Sequence, residues 1–462
     1  MFGHPDAAQL TQLGLYAQQH RGQESAGICT TDGQQIKRHA GLGLVGEVFP
    51  KRTINELRNP IAIGHVRYST TGSSTVENSQ PLLFRFSGGE VAIAHNGNLI
   101  NAALLRDRYE QEGHIFQTSC DTEVIIHLLA KAAHSGEPNP LLRVLGDLQG
   151  AFSLLLLFAD RIVAVRDIMG FRPLALGRTA DGAYVVASET CALDMVDADY
   201  VRDVEPGEVL TISKDGLSSE RFGNGNGNGG RGAACIFELI YFADPSSSVF
   251  GENVHVARDS MGARLAREAP VEADMVMPVP NCARCAAMGY ARESGIPLGR
   301  GFTTSHYAGR SFIMPSQASR DLAVKMKLNV IKETVRGKRL VVVEDSVVRG
   351  TTTRGKMGAL RKAGAKEIHL RVASPPIRHP CYFGIDFPDP RRLAATGRSV
   401  EEIREYLEVD SLHYLSLEGM LACVRMPAAK YCTACFSDDY PIDVTEPVEK
   451  FALERRQLRL FP

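Results

Sequence analysis

The ten residues GNGNGNGGRG, Gly223 to Gly232, cut the 462-residue chain almost in half. Glycine and asparagine bury almost no apolar surface, so this run can only be a linker or a long loop. Any hydrophobic core must therefore close on one side of it or the other. The length agrees, since 462 residues exceed what one core usually supports, and two domains are expected. The two sides also carry different patterns. Before the run, short apolar stretches alternate with turns: VAIAHNGNL, AFSLLLLFAD, RIVAVRD and GAYVVAS. One helix, DTEVIIHLLAKAAH, opens at Asp121 as its expected cap, with Glu123 in its first turn. Many strands and few helices predict stacked antiparallel sheets with helices outside. After the run, RDSMGARLAREAP reads as a helix, and ADMVMPVP and KRLVVVED read as buried parallel strands. A helix from Thr351 closed by Gly364 and then another strand complete a βαβ unit.

Charge and composition exclude several classes. The net charge of -1 supplies no bulk field toward nucleic acid or a membrane. No apolar run reaches the roughly 18 residues of a membrane helix. The first residues lack the basic-then-apolar order of a signal peptide, so a cytoplasmic location is expected. In that reducing compartment the ten cysteines are buried apolar residues or metal ligands rather than a disulfide framework.

VVVEDSVVRGTTTR carries the most chemistry in the second half. A strand ends at Val343, two acids follow at Glu344 and Asp345, and Ser346, Arg349, Gly350, Thr351 and Thr352 lead into a helix. Glycine and hydroxyls at a helix N-terminus suit phosphate, because the first backbone N–H groups point outward there. The acids suit ribose hydroxyls or Mg²⁺. Two other readings stand beside this one. Gly350 to Lys356 spells G-x-x-x-x-G-K, but Met357 follows where a nucleotide P-loop needs Ser or Thr. A charged βα loop with no ligand is the plain alternative.

This stretch resembles the PRPP (phosphoribosylpyrophosphate) loop of type I phosphoribosyltransferases. YAGRSFIMPSQASRDLAVKMKLNVI, SPPIRHPCYFGID and HVARDSMGARLAREAPVEAD extend the resemblance to the glutamine PRPP amidotransferase family, from Phe2 to about Tyr440. The resemblance implies an N-terminal-nucleophile αββα sandwich of antiparallel sheets over 1–222, a linker over 223–232, a parallel-sheet phosphoribosyltransferase domain over 233–420 and a tail over 421–462. It implies that glutamine-derived ammonia displaces pyrophosphate from PRPP, giving 5-phosphoribosylamine, the first committed step of purine synthesis. It also implies a homotetramer inhibited by purine nucleotides. For glutamine it assigns Arg67 to the α-carboxylate, Asp121 to the α-ammonium, Asn96 and Gly97 to the oxyanion hole, and Arg21 and Gly22 to the nucleophile pocket. For PRPP it assigns Glu344, Asp345, Ser346, Arg349, Gly350, Thr351 and Thr352, with Glu344 and Asp345 on Mg²⁺ and Arg310, Lys325 and Lys327 on a closing loop. Taken singly, Arg67 also reads as a surface charge, Asp121 as a helix cap and Asn96-Gly97 as a hairpin turn.

Cysteine spacing allows two metal sites. Cys282/Cys285 and Cys432/Cys435 are two C-x-x-C pairs, which by spacing alone make a Cys₄ zinc site. The resemblance selects Cys235, Cys381, Cys432 and Cys435 for a [4Fe–4S] cluster instead.

The chain departs from the family at four places. Glu344 replaces an aspartate. Asn281 and Cys282 stand where the family has Asp and a hydroxyl near Mg²⁺, and a thiol is a poor Mg²⁺ ligand. Thr304, Ser305 and His306 replace polar and basic residues. The fourth lies at the start, where family members begin with the nucleophilic cysteine in a run like C-G-V-F-G-x ahead of FGHPDAA. Here FGHPDAA begins at Phe2, and none of the ten cysteines has a free α-amine. The expectation is a start assigned too late, with a cysteine codon about six residues upstream, and no glutamine hydrolysis by the chain as written. A regulatory paralogue that binds purine nucleotides without catalysis and a P-loop ATPase are the rival functions.

Overall fold

The computed structural model describes residues 1–68, 71–223, 232–304, 328–387, 389–444 and 451–454. Most of the Gly/Asn run, and with it the expected 223–232 boundary, lies outside them, as do Ser305, His306, Arg310, Lys325 and Lys327.

The first half builds two antiparallel sheets. One holds β1 (Ser25–Thr31), β2 (Ile36–Leu42) and β3 (Ile61–Arg67) in the order β2-β1-β3. It continues with β8 (Ala175–Thr179), β9 (Tyr184–Ala187) and β10 (Ala198–Asp203) in the order β10-β8-β9. Met1–Gly3 joins these parts: Phe2 bridges Ile61 on one side and Tyr184 on the other. The second sheet runs β12-β11-β7-β6-β5-β4, from Gly216–Arg221, Glu208–Ser213, Arg161–Arg166, Gly150–Leu157, Gly89–Leu99 and Leu82–Phe86 respectively. Cys29, Ile63, Ala92, Ala94, Leu157 and Ile162 fill the space between the sheets. The helix Ala7–Ala17 covers the first sheet through Ala8 and Leu15. Thr122–His134 covers the second through Val124, Ile125 and Leu128. Helix, sheet, sheet, helix is the expected αββα sandwich. Its middle strand β6 is buried along nearly its whole length because both faces are covered.

The second half builds a four-stranded parallel sheet in the order Met275–Pro278, Arg339–Glu344, Glu367–Val372, Ser411–Tyr414. Alternate residues feed two cores, as a strand's period of two requires. Val276, Val341 and Val343 meet the helices Val254–Glu268 and Arg284–Ser294. Met277, Leu340 and Val342 meet Thr351–Lys362 and Val400–Leu407. Val254–Glu268 starts earlier than the sequence pattern predicts, because the Asn253 side chain accepts from Val256 N at 3.1 Å and caps it. Gly364 ends its helix as expected, at φ +96°.

Candidate active sites

The carboxyl end of β3, the bend of β5 and the start of the Thr122–His134 helix enclose one pocket with Arg21, Arg67, Asn96, Gly97 and Asp121 on its wall. Arg67 is buried, not a surface charge. Its guanidinium is pinned by the carbonyls of Ser73 at 3.0 Å and Thr71 at 3.0 Å. Asn96 and Gly97 lie inside β5, so the hairpin-turn reading fails. Gly97 has φ +150°, and a Cβ there would stand 2.0 Å from Ala151 O, so only glycine fits. Arg172 Nε donates to Asn96 Oδ1 at 3.4 Å, which leaves the Asn96 amide nitrogen turned toward Ser188. Gly22 sits behind Arg21 against the Val66 backbone.

Asp121 does not cap its helix, contrary to the sequence pattern: its side chain makes no cap hydrogen bond. Oδ2 instead accepts from Leu99 N at 3.0 Å and lies 3.6 Å from His95 Nδ1. Burial alone would raise this carboxyl, but His95 and these hydrogen bonds hold it below its ordinary value. A buried anion is thus kept ready beside the pocket. Burial pushes His65 down to about 3, so its imidazole is neutral. Cys120 also lines the pocket, but burial and then Asp121 push its thiol up to about 11. It is therefore no activated nucleophile.

Met1 N donates to Ala62 O at 2.9 Å, and Ala62 N donates back to Met1 O at 2.9 Å. This register pairs Phe2 with Ile61 and Met1 with Ala62. Farther along β3 come Gly64, His65, Val66 and Arg67, all on the pocket wall.

The pocket's remaining wall comes from the second half, which sequence reasoning missed. Ala243 N donates to Glu238 O at 3.1 Å, five residues back, making Glu238–Phe242 a π-turn. Glu238 is fully buried and accepts from Arg21 Nη1 and Nη2 at 2.9 and 2.8 Å, and Arg172 lies 3.1 Å from it. Glu189 takes Arg21 from the other side at 2.5 Å. Phe242 lies beneath both guanidiniums, at 4.6 Å from Arg21 and 4.9 Å from Arg172. Gly384 closes on Gly97. No local sequence signal marks Glu238, since its partners stand over sixty residues away.

Tyr241 of the same turn faces the second site. Burial raises its hydroxyl pKa, and the charges of Cys282, Asp345 and Glu344 add to the shift. Glu344 and Asp345 end their strand at its carboxyl edge, both buried. Burial pushes Glu344 up to about 7, with Lys356 opposing and Asp345 adding to the shift. Burial likewise raises Asp345, whose Oδ1 accepts from Ser346 Oγ at 2.8 Å. Lys356 Nζ reaches Glu344 Oε1 at 3.3 Å, while Glu344 Oε2 is buried with no hydrogen-bond partner among the described residues. An orphaned carboxylate oxygen at a strand's carboxyl edge fits a ribose hydroxyl or a hard cation. Gly350, at φ +76°, precedes the helix Thr351–Lys362, and Arg349, Thr351 and Thr352 are exposed around it. Gly355 and Lys356 lie within that helix, so the stretch is not a P-loop.

The two C-x-x-C pairs are not brought together. Burial, then the charge of Asp345, push the Cys282 thiol up to about 12, with Arg258 opposing. Cys432 and Cys435 instead share an apolar cavity with Cys235 and Cys381, walled by Phe171, Phe383 and Tyr440. Cys235 and Cys432 are cross-strand partners in a short parallel pair. Burial pushes Cys235 up to about 12 and raises Cys381 and Cys435 as well. Among the described residues no three His, Cys, Asp or Glu side chains close on a single-ion site, and none of the described helices is long and apolar enough to cross a membrane.

A glutamine amidotransferase domain family matches residues 65–195. Amidophosphoribosyltransferase of Mycobacterium tuberculosis (strain ATCC 25618 / H37Rv) is 48% identical over 452 residues, spanning 95% of this chain and 84% of that protein. The Bacillus subtilis (strain 168) enzyme is 46% identical over 452 residues, spanning 96% and 93%. The solved structure of glutamine PRPP amidotransferase from B. subtilis, complexed with ADP and GMP, aligns at TM-score 0.89 and 45% identity over 97% of this chain and 98% of that one. A structure of the allosteric regulatory enzyme of purine biosynthesis aligns at TM-score 0.91 and 45% identity over 98% of each. With identity this high along nearly the whole length of both partners, the chain belongs to the amidophosphoribosyltransferase family.

Proposed function

We propose that this protein makes 5-phosphoribosylamine from PRPP and ammonia, the first step of purine biosynthesis, with glutamine as the ammonia source. One observation carries the reading: a single π-turn, Glu238–Phe242, lines the pocket of Arg67, Asn96 and Asp121 with Phe242, while its Tyr241 hydroxyl is raised in part by the charges of Asp345 and Glu344.

In the glutamine pocket, Arg67 pairs with the substrate α-carboxylate and Asp121 with its α-ammonium. The Asn96 amide and the Gly97 N–H stabilise the oxyanion of the tetrahedral intermediate. A strand leading into Met1 would continue the antiparallel register along β3, one residue outward per residue of β3. It would place the residue five positions before Met1 opposite Arg67, where an N-terminal cysteine has its thiol and amine at the pocket.

In the second site, Gly350, Thr351 and Thr352 at the helix N-terminus, with Arg349, hold the 5-phosphate. Glu344 and Asp345 hold the ribose hydroxyls and would hold Mg²⁺, which supplies charge neutralisation for the leaving pyrophosphate. Arg310, Lys325 and Lys327, which lie outside the described residues, would complete that neutralisation. The Cys235, Cys381, Cys432 and Cys435 cavity is the place for a [4Fe–4S] cluster. Four cysteines around one cavity walled by aromatic rings suit an iron–sulfur core, and a cube spreads its ligands wider than one zinc ion does. The cluster would tie the tail to the start of the second half. Cytoplasmic location, a homotetramer and inhibition by purine nucleotides complete the proposal.

The test is pyrophosphate release from PRPP with ammonium salts and Mg²⁺. The protein should support it, and Asp345→Ala should cut it strongly. Binding of purine nucleotides with no turnover would instead establish the regulatory paralogue, which the Asn281 and Cys282 replacements favour.

A further inference from the structure

Lys356, which closes the G-x-x-x-x-G-K pattern, has no part in the chemistry above. It lies on the helix Thr351–Lys362, one turn beyond Thr352. Side chains on a helix lean toward its N-terminus, so Lys356 extends back over the first turn. There its Nζ stands 3.3 Å from Glu344 Oε1, with the lysine side chain 15% and the glutamate side chain 9% exposed. The helix is anchored by the buried Thr353, Met357 and Leu360, so the ammonium is held at the acid pair. Its charge also reaches Asp345: burial raises that carboxyl, and Ser346, Arg258 and Lys356 oppose the shift. Arg258 spends its guanidinium on the carbonyls of Leu239 and Ala243, at 2.9 and 2.8 Å. Lys356, by contrast, donates to the carboxylate itself. The Cys282 thiol, pushed up to about 12 by burial and then Asp345, stays protonated and offers a hard cation no ligand. What the acid pair leaves open is Asp345 and Glu344 Oε2, the oxygen with no hydrogen-bond partner among the described residues.

We propose that Lys356 is a positioning residue of this site: a tethered cation that occupies the Oε1 side of Glu344, so that the free acid pair holds a divalent ion weakly and Mg²⁺ enters together with PRPP. Two negative charges side by side would otherwise draw a divalent ion into the empty site. Lys356 already supplies one positive charge there and removes one of the oxygens such an ion could use. A unit charge about 5 Å from a doubly charged ion weakens its binding on the order of tenfold even under the screening of bulk water. Mg²⁺ carried on a pyrophosphate group arrives with its charge largely neutralised, so the ammonium opposes it far less. The lysine thereby favours the metal-bound substrate over the bare metal. The part played by PRPP rests on the reading of the Glu344–Asp345 loop as the PRPP site; the competition between Lys356 and a divalent ion does not.

The test is calorimetric titration of the full chain with Mg²⁺ alone at pH 8, without PRPP. Lys356→Met keeps most of the side-chain volume and removes the charge, and it should tighten Mg²⁺ binding on the order of tenfold or more. The same change strengthens a proton's hold on Glu344, but a doubly charged ion gains about twice as much as a singly charged one. Lys356→Arg keeps the charge and should leave binding as weak as in the wild type, a rescue that a purely structural role would not predict. Glu344→Gln in the Lys356→Met background should erase the gain, which ties it to this carboxylate. Mg²⁺ binding no tighter in Lys356→Met than in the wild type overturns the proposal. A gain that also appears in Lys356→Arg, or that survives Glu344→Gln, overturns it too. Wild-type protein that releases no pyrophosphate from PRPP and ammonium would count against the PRPP site, while the Mg²⁺ titrations still decide the role of Lys356.

Discussion

Glu344→Gln should make the ligand-free protein more stable while removing its activity. The wild-type carboxyl is buried, and its pKa stands at about 7 in the folded chain against an ordinary 4.5. A raised carboxyl pKa means the folded state holds that proton more tightly. The stability it contributes is complete below pH 4.5 and is lost as pH rises toward 7. At about 1.4 kcal/mol per pH unit of separation, the loss is about 2 kcal/mol at pH 6 and about 3 kcal/mol at pH 8. Glutamine keeps the shape and cannot ionise, so it avoids the loss. It also relieves Asp345, next in the chain, of a neighbouring charge. Lys356 keeps an amide oxygen in reach of its ammonium. Urea unfolding without PRPP or Mg²⁺ should therefore favour the variant, by a gap that widens by about 1 kcal/mol from pH 6 to pH 8. Ammonia-dependent pyrophosphate release should fall sharply in the same protein. A variant less stable than wild type at pH 8, or a gap that does not change with pH, would refute the account of Glu344 as a strained anion awaiting a ligand.

Two further outcomes are expected. Cys432→Ser should yield protein without the brown colour, iron and sulfide of the anaerobically purified wild type, and with a looser tail by limited proteolysis; stoichiometric zinc in the wild type would remove the cluster proposal. Arg67→Ala and Asp121→Asn should each weaken glutamine binding, read by calorimetry, and leave ammonia-dependent synthesis unchanged, because neither residue lines the PRPP loop; equal loss of both activities would contradict that separation.

The sequence-based reading succeeds where a side chain's role is set by its neighbours in the chain. Gly350 follows its strand and precedes its helix within one loop, so the strand–loop–helix order can be read from the order of residues alone. It falters where burial decides. Asp121 heads a helix and has the right type for a cap, yet its carboxylate turns to Leu99 N and His95, because a buried acid gains more from a backbone donor and an imidazole than from its own helix end. AFSLLLL is expected in an antiparallel sheet and lies in one; its continuous apolar run reflects cover on both faces rather than strand direction. The cysteines show the same limit. Spacing pairs Cys282/Cys285 with Cys432/Cys435, whereas the fold carries the first pair to the acid site and leaves the second with Cys235 and Cys381.

The π-turn explains why two unlike chemistries occupy one chain. An α-helical turn would place residues three and four apart on one face. Within it Phe242 lines the glutamine pocket, while the charges of Glu344 and Asp345 reach Tyr241, its neighbour in sequence. A π-turn is less stable than an α-turn, so something must hold it. Glu238 supplies that hold: fully buried, it joins Arg21 and Arg172 of the glutaminase half to the first residue of the turn. Breaking a buried pair by deleting one partner strands the other charges, at a cost of about 3–5 kcal/mol. The turn between the two halves thus keeps its shape only while Glu238 stays paired with Arg21 and Arg172.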